Sequence, residues 1–325
     1  MRERPLPLVS VGKAVAGTVI IAVFMFILPL GPMLLAPFLP LPIAYVVARH
    51  GWISGTVVAV LSAALVYAGA DIRTGLLVFL IVASTGMTLG WAMRRGWRFP
   101  RSLSVMAASL LVGLVVFGVA LWLAFGVSLS EIKQTAYDSI ASAGTTYTGL
   151  GVSSESVATV SGQLRKFVDI FPYLAPGFLG MGVVLMAAST TGLAYLIFPR
   201  LRKRESVGMS LSTFRLHWGA AYVSIIGLAM LLFSRGGSPW RSALLYTGID
   251  LLLVSQTLFF IQALGVLRWL GTAREWRPGS RTLVFISAVL AQAFFQLTGL
   301  VGLLDTWIDY RKRYALKSAG PGSLS

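Results

Sequence analysis

Cysteine is missing from this chain of 325 residues, and histidine occurs only twice. Without cysteine there can be no disulfide staple, no thiolate metal ligand and no cysteine nucleophile. His50 and His217 are too few for most catalytic zinc sites, and both flank apolar runs. Charge is scarce as well. Asp, Glu, Lys and Arg make up 12% of the residues, about half the ~25% of a soluble domain. The sequence contains no GxxxxGKS/T phosphate loop, no HExxH, no CxxC and no GxSxG. Nucleotide hydrolysis on a phosphate loop, zinc peptidase chemistry and serine-hydrolase chemistry therefore have no residues to carry them. The reading is of a protein that is not an enzyme, with no cofactor and no metal.

What the chain has instead is apolar residues, 56% of the total. A membrane helix needs about 20 of them in a row. Runs at 12–30, 33–48, 51–70, 74–93, 102–126, 173–198, 215–233, 242–268 and 282–304 meet or approach that length. The expected fold is all-α, a polytopic transmembrane helix bundle of about eight to nine spans. Seven tryptophans, from Trp52 to Trp276, fall at the ends of these runs, where amphipathic rings sit at the membrane interface. The basic N-terminus and its first apolar run imitate a signal peptide, but a second apolar run follows at once, so the first is read as a retained span.

Net charge is +16, and its distribution decides what that means. Lys and Arg stand in short blocks between apolar runs, the pattern of cytoplasmic loops rather than of a nucleic-acid surface. The expected partners are the bilayer and its anionic lipids, with no nucleic acid. Arg94, Arg95, Arg98 and Arg101 form one block. Arg200, Arg202, Lys203, Arg204 and Arg215 form another. Placing both inside puts the N-terminus and Arg49 inside, and Asp71 and the polar stretch 127–171 outside. Arg268, Arg274, Arg277 and Arg281 then also fall inside. One more crossing would put Arg311, Lys312 and Arg313 outside, against the rule. Either a re-entrant hairpin near Gln296–Gly299 returns the tail, or a single long helix carries its basic end outward; the charge bias favours the hairpin.

Irregular segments are where function is sought. Leu28–Pro42 holds Pro29, Pro32, Pro37, Pro40 and Pro42, each lacking a backbone donor. Bare non-helical backbone is not viable in lipid, so a broken helix packed on protein, or a re-entrant passage, is expected. The outside stretch has helical spacing at 129–143 and 154–170. In the second segment Val157, Val160, Leu164, Phe167 and Val168 share an apolar face. It is read either as a connector on the mouth of the bundle or as a lid or partner surface. The chain thus divides into an N-terminal membrane bundle (1–126), an external helical connector (127–171), a C-terminal membrane bundle (172–310) and a basic polar tail (311–325).

Ionisable residues within spans are costly and point to function. Asp250 lies about two turns into its span, with Gln256 and Gln262 following. Its role is open between bundle contact, with Arg241 as one partner, and a solute or ion site. Gln292 and Gln296 share a face four residues apart, as do Asp305 and Asp309. Pro37, Pro40, Pro42, Asp250 and Gln256 are the candidate substrate-binding residues. Small residues recur at four-residue spacing: Ala14, Thr18 and Ala22; Gly55, Ala59 and Ala63; Gly86 and Gly90. Such stripes let helices approach closely, within the bundle or against a partner.

The proline-punctuated run Leu28–Gly51 (LPLGPMLLAPFLPLPIAYVVARHG), the segment Gly299–Arg313 (GLVGLLDTWIDYRKR) and the overall span pattern resemble the YybS-like family of uncharacterised bacterial membrane proteins. That family is distantly similar to the S components of energy-coupling-factor vitamin transporters. The resemblance implies a bacterial cytoplasmic (inner) membrane and small-molecule binding or transport. It also implies ATPase and coupling subunits, or other membrane proteins, as partners, with Ala14, Thr18 and Ala22 as a docking stripe. The expected function is transporter-like binding or translocation of a small organic solute without an ATPase of its own. The alternative is a non-catalytic scaffold or accessory subunit of an envelope complex.

Overall fold

The computed structural model describes residues 8–28, 30–198, 211–236 and 238–313. Among them there are only helices and their connections, so the chain is an all-α polytopic bundle. Among the described residues, eight helical stretches are long and apolar enough to cross a membrane. Pro29 and the basic residues Arg200, Arg202, Lys203 and Arg204 lie outside the described residues.

The first half is built from α1 (Leu8–Ile27), a broken helix, α4 (Trp52–Gly69) and a bent helix. The broken helix is the proline-rich segment. Gly31–Leu35 (α2) gives way to a 3-10 turn at Ala36–Phe38, and α3 (Leu41–His50) resumes. As expected it packs on protein: Ile43, Ala44, Val46 and Val47 are fully buried. The bent helix runs from α5 (Ile72–Leu77) through a π-helical stretch at Val78–Ala83 into α6 (Ser84–Arg94). Ser84 Oγ accommodates the bend by donating to the Leu80 carbonyl at 2.6 Å. Asp71 caps its start, its carboxylate accepting from the Thr74 amide at 2.6 Å.

Helix α7 (Phe99–Phe125) leads to α8 (Leu129–Gly149) and α9 (Ser154–Ile197). Here the structure departs from the sequence reading. The expected helix over 154–170 does not end; it continues through Pro172 and Pro176 as one helix of 44 residues. That is about 66 Å, twice the ~30 Å hydrocarbon core. Helix α8 packs antiparallel along the outer part of α9, with Tyr137 donating to Asp169 and Gly144 against Val157. Burial in α9 begins only at Leu174, and α8 has no buried residue. The outer connector therefore stands clear of the bundle as a hairpin and does not lie across its mouth.

In the second half, α10 (Ala220–Phe233) is shorter than the expected span because Phe214–Trp218 is not helical. The long α11 (Pro239–Ala273) follows, then α12 (Pro278–Phe295) and α13 (Leu297–Ile308). The expected single span over 282–304 is two helices, broken at Gln296 in the left-handed conformation. Trp276 and Arg281 lie beside Gly271, while Gly299 lies beside Gln256, Gly302 beside Phe259 and Arg311 near Gly265. So α12 climbs antiparallel to α11, turns near its middle, and α13 descends parallel to it. This is the re-entrant hairpin, not the long outward helix.

The basic ends converge. Arg94 lies over Gly51, Tyr195 donates to the Trp97 carbonyl, Phe198 meets Tyr45, and Arg311 donates to the carbonyls of Ser212 and Phe214. Arg49, Arg94 and Arg311 thus share one end of the bundle. Arg73 lies over the Phe125 ring at the opposite end, from which the α8–α9 hairpin departs.

Candidate functional site

The small-residue stripes become helix contacts inside the chain. Ala14, Thr18 and Ala22 are buried, with α1 against α3 and α4. Ala59 and Ala63 are buried in the same core. A methyl group on Gly55 would collide with Val47, and one on Gly86 would come 2.9 Å from the Pro40 carbonyl. On Gly90 it would come 2.5 Å from the carbonyl of Ala44. These glycines let α4 and α6 close on α3.

Asp250, Gln256 and Gln262 of α11 stand six positions apart, about 9 Å along its axis, and meet different neighbours. Asp250 faces α9, where only a glycine leaves room: a methyl group on Gly177 would overlap its carboxylate. One turn outward, Tyr173 and Tyr246 stack with centroids 5.1 Å apart. Arg241, the partner considered from sequence, turns away and donates to the Arg235 carbonyl. Among the described residues no ion pair involves Asp250. Its Oδ1 is buried from solvent with the Gly177 backbone amide as its nearest donor, and completes no hydrogen bond of ordinary geometry.

Gln256, one and a half turns on, presents its side chain to Gly299 at the start of α13. Its Oε1 is likewise buried and without a donor. The tip of the hairpin is stabilised from within. Gln292 accepts from the Gly299 amide at 2.7 Å and donates to Gln296 at 3.0 Å, so the pair expected from spacing caps the start of α13. Thr298 Oγ1 donates to the Ala288 carbonyl at 2.6 Å.

Gln262 belongs to a buried network that spacing alone did not reveal. Its amide nitrogen reaches Asp305 Oδ2 and the Gly302 carbonyl, both at 3.1 Å, and its Oε1 accepts from the Leu216 amide at 2.9 Å. Asp305 is fully buried, accepts from the Tyr310 amide, and lies 3.5 Å from Arg311. Asp309, its expected companion, turns instead to Arg215. The only sequence signal was two aspartates placed just before a basic block.

Partial burial works against the charge of Asp309, but the Arg215 hydrogen bond, the Lys312 amide and both cations outweigh it, holding its pKa below the ordinary value. A depressed folded-state pKa contributes stability above the unfolded value of about 3.9 and loses it as pH falls through the folded value. The stability difference between wild type and Asp309→Asn is therefore expected to be constant above about pH 5 and to shrink as the pH falls from about 4 through the folded value. Paired thermal melts across that window check it; a difference that persists in acid would exclude the linkage.

The five candidate substrate residues do not share one contact. Pro42 faces Gly17 of α1, Pro40 lies buried beside Gly86 of α6, and Pro37 belongs to the 3-10 turn that borders α9. Asp250 and Gln256 face α9 and α13. The arrangement can therefore offer two acceptor oxygens on α11, one of them beside the start of α13.

No curated protein and no solved structure matches the chain. A family model described as "Predicted membrane protein (DUF2232)" matches residues 16–306, nearly the whole helical assembly from α1 to α13. The chain belongs to that family of membrane proteins.

Proposed function

We propose that this integral membrane protein binds a small organic solute within its bundle and moves it without an ATPase of its own. In this reading it is not an enzyme. It sits in a bacterial inner membrane with its N-terminus and converging basic ends in the cytoplasm, as the positive-inside rule requires. One observation carries the reading. Gln256, near the middle of α11 and beside the start of α13, keeps a buried acceptor oxygen without a donor, and Asp250 keeps one that only the Gly177 backbone approaches. Buried acceptors are nearly always satisfied, so these two await a proton, an ion or a solute donor. Transporters build midplane sites from interrupted helices whose N-termini end inside the membrane. Ala14, Thr18 and Ala22 are buried within the chain, so in this reading a coupling subunit would dock on another face.

Native mass spectrometry of the gently extracted protein tests this. Wild type is expected to retain a small-molecule adduct that Asp250→Asn and Gln256→Ala lose while remaining folded. A wild-type protein that carries no small solute would overturn it.

A second reading, a non-catalytic scaffold or accessory subunit, rests on the outer hairpin. There Val160, Leu164 and Phe167 remain exposed, because α8 covers the Val157 and Ser161 side of α9 and not this stripe. Retention of a second protein in place of a solute in the same spectra would favour it.

A further inference from the structure

Between α1 and α3, at the end of the bundle where the basic loops converge, runs a groove of about 400 Å³. Its mouth carries Lys13 and Arg49, both exposed, and Arg49 donates to the Tyr45 hydroxyl at 2.6 Å. Among the described residues neither cation forms an ion pair. Behind them the lining turns apolar, with Gly17, Ile21, Phe38, Pro42 and Phe198. From Lys13 to Ile21 the groove follows α1 for about 12 Å, the length of a substantial piece of an acyl chain.

We propose that this groove is a binding site for one anionic glycerophospholipid, its phosphate held between Lys13 and Arg49 and an acyl chain laid along Gly17 toward Phe38. Charge complementarity selects the occupant. Two cations at the membrane–water boundary that form no ion pair among the described residues call for an anion, and basic pockets between spans on that side hold anionic head groups. A soluble anion would leave the apolar floor in contact with water; a lipid covers it. The neighbouring face of α1 already presents Ile20, Val23 and Phe24 outward, so a chain can enter sideways from the bilayer. Gly17 makes room: a methyl group there would only touch Pro42, at 3.5 Å, so a larger side chain fills the groove without displacing backbone. The site is separate from Asp250 and does not depend on the solute reading.

The test is lipid retention in native mass spectra of the full-length protein, titrated with phosphatidylglycerol or phosphatidylcholine of the same acyl chains. Phosphatidylglycerol is expected to be retained preferentially. Lys13→Gln combined with Arg49→Gln is expected to weaken it roughly tenfold or more, from about 1 kcal/mol for each cation. Gly17→Leu is expected to weaken retention of both lipids, since it occupies the chain and not the phosphate. Equal retention of the two lipids by wild type would overturn the proposal without any variant having to fold. So would competition by soluble glycerol phosphate as effective as that by the lipid, which would show a site for the anion alone.

Discussion

Replacing Gly302 by alanine is expected to destabilise the protein by about 1–3 kcal/mol, although a single methyl group is added. The added carbon would fall on the carbonyl oxygen of Phe259, far inside contact distance. That oxygen belongs to the backbone of α11, which is pinned between α9, α10 and α13 and cannot rotate away as a side chain can. The descending arm of the hairpin must therefore move out. In doing so it withdraws Gly302, Asp305 and Thr306 from the Gln262 amide, which reaches all three. Gly118→Ala supplies the opposite sign. It lies in α7 with open space around it, so the methyl meets nothing and the gain in helix propensity, up to about 1 kcal/mol, remains. Thermal unfolding followed by tryptophan fluorescence should show Gly302→Ala several degrees below wild type and Gly118→Ala at or slightly above it. If Gly302→Ala melts with wild type, the hairpin does not dock as described.

This contrast also shows what sequence could and could not disclose. Apolar run length located the spans, because bilayer thickness dictates it. The prolines of Leu28–Pro42 announced a broken helix, because each removes a donor whatever surrounds it. The α8–α9 hairpin was harder. The outer helix over 154–170 and the span at 173–198 read as two elements, yet α9 runs through both as one helix. The break at Gln296 has no local signature at all, glutamine being an unusual residue for positive φ. It was visible only through charge: a basic tail on the wrong side of an extra crossing pointed to a hairpin. Within the candidate region Asp250 and Gln256 were legible as polar residues in an apolar run. That Asp250 lies against Gly177, 73 positions earlier, was not, because the contact depends on how two helices cross and leaves no periodicity in either.

Removing Asp305 is expected to cost more than removing Asp305 and Arg311 together. Asp305 is fully buried and the Arg311 side chain is 10% exposed, 3.5 Å away. Asp305→Ala leaves a largely buried guanidinium without its carboxylate, and breaking such a pair costs about 3–5 kcal/mol, whereas exchanging a whole buried pair for apolar residues is often close to neutral. The double variant Asp305→Leu, Arg311→Met should therefore recover a large part of the loss. Recovery stays incomplete because Arg311 also donates to Ser212 and Phe214, and Gln262 loses an acceptor. A full double-mutant cycle on thermal stability measures the coupling; additive losses would mean that the two charges do not sense each other. The cycle also separates structural from solute-binding roles. Every oxygen of Asp305 already has a protein donor, so it serves as a latch holding α13 to α11 and to the 211–216 segment. Asp250, by contrast, has an oxygen that completes no hydrogen bond of ordinary geometry. A folded double variant at the latch should then keep any solute bound at mid-bundle, while Asp250→Asn should release it with little change in stability.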